Sequence, residues 1–254
     1  MAKGKITAQQ LKHDPLMDKY IASSGWVKER SRPLLRGLIA IAVLGAVVFI
    51  VYYAMSYRER AAGELLAAGF CADQGIVANP KPANPRGCAY ATEDEKHRAA
   101  YESFEKAANE YPSYNGEVGH YLAATHQLFF DAPKAEATLQ QLAQKDSSVG
   151  AQARLALAQR YAATARLDQA LAEYQKLKAK PGDISPSMID YNTARIYEDM
   201  GKTKEAADLY FSIASQAPDS SLGTAATTRL TTLDPARVEQ LPVQDKKPNF
   251  GLRR

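Results

Sequence analysis

Cysteine is almost missing from this chain: Cys71 and Cys88 are its only two. No CxxC or CxxCH spacing occurs, which excludes the sequence signatures of dithiol exchange and of covalent haem attachment. Histidine is nearly as sparse. His13, His97, His120 and His126 contain no pair one helical turn apart with a carboxylate in metal-site order. Glycine never clusters into a phosphate-cradling loop, and no GxSxG nucleophile elbow is present. The chain therefore carries no recognisable reaction centre, cofactor site or small-molecule substrate site, and we expect a protein that is not an enzyme. A basic stripe along the body of the chain is lacking too. Residues 1–36 hold Lys3, Lys5, Lys12, Lys19, Lys28, Arg30, Arg32 and Arg36 against Asp14, Asp18 and Glu29, a net +5 of the total +4, so the remainder sums to −1. A nucleic-acid partner would need that positive charge on the folded body. Here it stands in front of an apolar run.

That run, Gly37 to Ser56, is free of charge. At the helical rise its length is roughly 30 Å, the thickness of a bilayer's hydrocarbon core. Tyr52, Tyr53 and Tyr57 gather at its end, where aromatic rings favour the membrane interface. A core helix of this length would keep a polar stripe. A cleaved signal peptide would have a shorter leader and a small-residue cleavage site. The segment is read as a retained anchor spanning residues 37–57. Lys19, Lys28, Arg30, Arg32 and Arg36 precede it closely, whereas Arg58 and Arg60 follow it. The positive-inside tendency then puts the N-terminus in the cytoplasm and the rest outside it.

Beyond the anchor a motif returns every 35 or 36 residues. Its copies are Ala100, Phe104 and Ala107; Ala135, Leu139 and Leu142; Ala170, Tyr174 and Leu177; and Ala206, Tyr210 and Ile213. The order is small, then large four residues on, then apolar three further, which places all three on one helical face. Upstream partner helices carry Leu122, Ala123 and His126, then Leu157, Ala158 and Tyr161, then Ala194 and Tyr197. A helix pair repeated in tandem at ~34 residues predicts a solenoid of helical hairpins. The fold class is all-α, with three to four repeats over 93–233. Leu222, Ala226, Leu230 and Leu233 supply a final helix to cover the open end.

At these positions the chain resembles the tetratricopeptide repeat family, whose second helices carry alanine, an aromatic, alanine and proline. Segments 150–184 and 186–219 match that pattern best, with Gly201 at the turn between helices. The resemblance implies a protein-binding surface. By the family's alignment the first helix of each pair lines the groove, which selects Glu117, His120 and Gln127, then Gln152, Leu155 and Gln159, then Met188, Tyr191 and Arg195. The groove lacks the lysine and asparagine ring with which family members clamp a C-terminal carboxylate.

Cys71 and Cys88 enclose a stretch with three prolines and two glycines, QGIVANPKPANPRG, incompatible with helix or central strand. A disulfide closing this loop would contribute about 3 kcal/mol on the chain-entropy argument, and an oxidising compartment would permit it. The alternative is two unpaired thiols. RERAAGELLAAGF, from Arg58 to Phe70, has helical spacing, so residues 58–92 are expected to hold a helix that continues the anchor, followed by the proline-rich loop. The next helix then starts near Thr92, its dipole favoured by Glu93, Asp94 and Glu95. Thr7 with Gln10 reads as a capping box, Leu16 to Glu29 as a second short helix, and Arg32-Pro33 as its end. Residues 234–254, basic and poor in apolar side chains, are expected to be a disordered tail.

The layout as a whole, a basic arm beginning KITAQQLKHD, one anchor and an exported set of repeats, is similar to the bacterial ancillary SecYEG translocon subunit family. That likeness implies an inner-membrane protein with its repeats in the periplasm, acting as an adaptor or chaperone for exported chains. Its partners would be translocon subunits and client proteins, with no cofactor. The competing expectation is an accessory or assembly subunit of another membrane complex, in electron transfer or the envelope.

Overall fold

The structure, a computed structural model, describes residues 19, 31–82 and 86–242. The expected capping box at Thr7, the helix from Leu16 to Glu29, the middle of the proline loop and the tail beyond residue 242 lie outside the described residues. The chain divides into two compact units, Met1–Arg60 and Ala61–Arg254. The described residues are mostly helical, with a single pair of two-residue strands.

Helix α1 runs from Ser31 to Asp73. It starts ahead of Pro33 rather than after it, because a proline in the first turn gives up an N–H that has no intrahelical partner anyway. The helix is long and apolar enough to cross a membrane, with a mean hydropathy of 2.6 over a window that is 0% buried. Ile41, Phe49 and Tyr52 are 69%, 67% and 70% exposed, so this stretch is not buried among the described residues. The sequence RERAAGELLAAGF continues the same helix, as its spacing predicts.

Within the second unit the chain leaves α1 through a short loop. Strand β1 (Ile76–Val77) pairs in parallel with β2 (Ala89–Tyr90), Ile76 facing Ala89. The prolines lie between the two strands, not in them, which is how strand pairing coexists with a proline-rich loop. Cys71 and Cys88 sit at disulfide distance, S–S 2.10 Å with Cα atoms 5.5 Å apart. Lys81 pairs with Glu95 and so ties the loop to the following helix.

The remaining helices are α2 (Glu93–Glu110), α3 (Gly116–Gln127), α4 (Ala132–Ala143), α5 (Ser148–Ala163), α6 (Leu167–Ala179), α7 (Pro186–Asp199), α8 (Thr203–Gln216), α9 (Ser221–Leu233) and α10 (Pro235–Val238). From α2 onward each packs against the next in the chain, and α3 also meets α5, as α7 meets α9. Local signals set the ends. Thr92 caps α2 by accepting from the Glu95 N–H at 3.1 Å, while the Glu95 carboxylate accepts from the Ala91 N–H at 2.9 Å. Asp131, Ser147 and Ser220 cap α4, α5 and α9 in the same way. The turns α5–α6 and α7–α8 each hold a left-handed residue, Ala165 at φ 56° and Gly201 at φ 72°.

The periodic triads make the core. Ala100, Phe104, Ala107, Ala135, Leu139, Leu142, Ala170, Tyr174, Leu177, Ala206, Tyr210 and Ile213 are all at most 5% exposed. Each alanine lets a neighbouring helix approach, and each large residue fills the space so created. Burying one such large side chain is worth roughly 1.5–3 kcal/mol. His126 stands in the slot that Tyr161 occupies in the next hairpin and is likewise buried, beside Phe104 and His97.

Of the segment expected to be a disordered tail, 234–254, the described residues to 242 include α10, which packs back. Val238 and Leu241 join the cluster around Tyr210, and Arg237 pairs with Asp208 at 2.5 Å. Overall composition signalled disorder, but two well-placed apolar side chains and one cross-helix ion pair suffice to dock a single turn.

Candidate functional site

The first helices of successive hairpins, α3, α5 and α7, share a face with two adjoining cavities. One, about 370 Å³, is lined by Tyr121, Thr125 and Leu128 with Phe129 just beyond α3, and by Ala156, Gln159 and Arg160 of α5. The other, about 350 Å³, is lined by Gln159, Ala162, Ala163, Tyr174, Asn192, Arg195, Ile196 and Asp199. Gln159 belongs to both, so they form one strip. The strip recurs with the helix period: Tyr121, Ala156 and Asn192 are equivalent positions, as are Thr125, Arg160 and Ile196.

The first cavity has an apolar floor and a cationic rim. Phe129 is 69% exposed, unusual for a phenylalanine in a turn. Glu136 of α4 accepts from Arg160 at 3.2 Å and from Arg166 at 2.9 and 2.5 Å. One carboxylate thus serves two guanidiniums and leaves a surplus positive charge beside the cavity. Arg166 foremost, then Arg160, hold the Glu136 carboxyl below its usual range against the opposing cost of burial. The Arg166 guanidinium lies over the Tyr161 ring, 4.4 Å from its centroid, which fixes the cluster in place. Burial pushes the hydroxyls of Tyr174 and Tyr210 up to about 12, so both stay neutral hydrogen-bonding groups. The Tyr210 hydroxyl donates to Glu198 at 3.2 Å.

The sequence-derived groove residues divide between several places. Gln159 and Arg195 line the strip. Met188 is exposed at 40%. Gln152 is half-buried. Leu155 packs against the main core cluster. Tyr191 turns edge-on to Tyr210 at 5.5 Å and belongs mainly to the core. Glu117 reaches Lys145 at 2.8 Å. His120 and Gln127 border a different cavity, about 310 Å³, between α2, α3 and α4. Gln127 is only 4% exposed and His120 lies 3.3 Å from Glu105, so these two do not face the strip. His126 and Gln127 both turn inward, and the α3 counterpart of Gln159, 35 residues earlier, is Ala124 and not Gln127. Tyr121, Leu128, Phe129 and Arg160 escaped the sequence reading. The one available signal was the Phe129-Phe130 pair, two large apolar residues standing just outside a helix.

Between α1, α2 and α3 the Nδ1 atoms of His97 and His126 are 2.9 Å apart. Burial is the leading cause that lowers both imidazoles below their ordinary value. Among the described residues no group of three His, Cys, Asp or Glu side chains is placed to hold a metal ion.

No family model, curated protein or solved structure matches this chain.

Proposed function

We propose that this protein is a membrane-anchored scaffold of tetratricopeptide-like hairpins that binds other polypeptides along the α3–α5–α7 face. In this reading α1 is the single span, the N-terminus is cytoplasmic, and the hairpins work in the periplasm as an adaptor or chaperone for chains at the inner-membrane translocon. The observation that carries the reading is the strip itself. It offers an exposed aromatic, an apolar floor and guanidinium and amide groups on a face held by buried triads. Its two cavities adjoin along the helix period, an arrangement suited to successive side chains of an extended segment. The anchor reading is supported by the unburied apolar stretch of α1 and the basic residues ahead of it.

The test is affinity capture of the full-length chain from mild detergent, beside a Phe129→Ser/Arg160→Glu variant. Translocon subunits with many substoichiometric client chains, reduced in the variant, are expected. A single stoichiometric partner set would instead make the protein an accessory subunit of another complex. Equal capture by both forms would remove the strip as the binding face. Resistance of the chain to carbonate extraction, together with protease access to the repeats only from the periplasmic side, is the expected topology.

A further inference from the structure

Phe129, the exposed wall of the first cavity, is not held by the hydrophobic core. Its ring lies flat on the imidazole of His97, centroids 3.5 Å apart and planes 9° from parallel. Its backbone N–H donates to the carbonyl of His126 at 3.2 Å. His97 and His126 meet through their Nδ1 atoms at 2.9 Å. Their outer nitrogens face carboxylates: His126 Nε2 lies 3.5 Å from Asp73 at the end of α1, and His97 Nε2 lies 3.9 Å from Glu93.

An Nδ1-to-Nδ1 contact at this distance has room for one proton, with one ring donating and the other accepting. A second proton would set two N–H groups and two positive charges against each other. The contact must then open, and the ring stacked on it loses its support. We propose that the His97–His126 pair is a proton-operated latch on Phe129, closed at neutral pH and released by acid, which controls the shape of the first cavity. The effect on polypeptide binding rests on the function proposed above; the latch itself does not.

The surroundings set the balance. Asp73 from α1, with Glu93 and Asp94 from α2, favours protonation of the pair, and Lys96 opposes it. Desolvation opposes it most for both rings. The internal repeat supplies a second argument. Where His126 sits, the following hairpins place the phenol rings of Tyr161 and Tyr197. An aromatic would fill the slot, so the imidazole adds a proton response and not a better fit.

The experiment uses the full chain in lipid nanodiscs. Trp26 is its single tryptophan, so Trp26→Phe with Phe129→Trp leaves one indole, at the latch. Between about pH 8 and pH 5, the range in which imidazole titrates, its emission is expected to shift and its quenching by His97 to change. Adding His126→Phe should abolish the response. An unchanged emission, or a response that survives His126→Phe, overturns the latch. The unsubstituted chain gives an independent reading by histidine ring resonances. Coupled titration of His97 and His126 in two steps is expected, and two independent single-step curves overturn it. Neither readout involves a partner. Loss of client capture with the optical response retained overturns the docking reading alone; loss of the response with capture retained overturns the latch alone.

Discussion

Gly69 of α1 lies directly against the ring of Phe104 in α2: a Cβ at residue 69 would fall 2.5 Å from the ring edge. Phe104 is 0% exposed, and Phe70 meets it edge-on at 5.2 Å, so the ring has little room to retreat. This contact joins the last turns of α1 to the first hairpin helix. Gly69→Ala should therefore cost about 1–3 kcal/mol through overpacking. Thermal unfolding of the full chain in detergent measures it, and Gly69→Ala/Phe104→Leu should recover part of the loss. Equal destabilisation by the single and double variants would mean that the ring is not what the methyl meets.

Tyr174 and Tyr210 fill equivalent places in successive hairpins, 2% and 0% exposed. Truncation of either to alanine should cost about 3–5 kcal/mol. Tyr210→Phe keeps the ring and loses only the hydrogen bond to the Glu198 carboxylate, so about 1.5–3 kcal/mol at most is expected. Denaturant midpoints of the three variants rank these losses. A Tyr210→Phe loss as large as that of Tyr210→Ala would show that the polar contact, not the packing, dominates.

Ala165 holds a left-handed conformation, φ 56°, at the turn where the next hairpin has Gly201. An alanine there costs roughly 1 kcal/mol that glycine avoids. Ala165→Gly should raise the unfolding midpoint by an amount consistent with that figure, and Gly201→Ala should lower it. Opposite signs in a paired melting experiment would contradict the turn geometry.

The contact between Cys71 and Cys88 predicts that protein isolated without reductant takes up no alkylating label. Mass spectrometry reads this directly. Cys71→Ser/Cys88→Ser should lower stability by about 3 kcal/mol, since the closed loop restricts the unfolded chain. Two alkylated cysteines in the untreated protein would remove the crosslink.

Burial lowers the folded-state values of His97 and His126 below the ordinary imidazole value of 6.5. Between the lowered and the ordinary value the unfolded chain binds more protons than the folded one, so stability rises with pH in that window. Equivalently, stability present above the ordinary value is lost as pH falls toward the folded one. Unfolding midpoints followed downward from neutral pH should fall, and the slope should flatten in His126→Phe. An equal slope in the variant would assign the loss to other groups, such as carboxylates paired as Glu136 is.

Much of the helix order was legible because each element repeats one rule. A small residue, a large one four on and an apolar one three further share a face in a helix, whereas in a strand the third would point to the other side, and the triads are buried. The start of α2 was equally open to reading, since Thr92 and Glu95 cap it through contacts three residues apart. The binding face was less legible. The positions of α3 that line the strip are Tyr121 and Thr125, one residue or more away from Glu117, His120 and Gln127, and Gln127 is buried. The docking of α10 was hidden for a similar reason, because Arg237 meets Asp208 from a helix far along the chain.

Periodicity and hydropathy alone specify an apolar helix followed by alternating short helices, since backbone hydrogen bonding and one-sided apolar burial act over a few neighbouring residues. They do not specify which side chains remain outside once the helices pack, nor which titratable groups meet. The stacking of Phe129 on His97 and the sharing of Glu136 by two arginines arise between residues about thirty positions apart. Such meetings follow from the rotation and spacing of whole helices, which the packed core sets collectively.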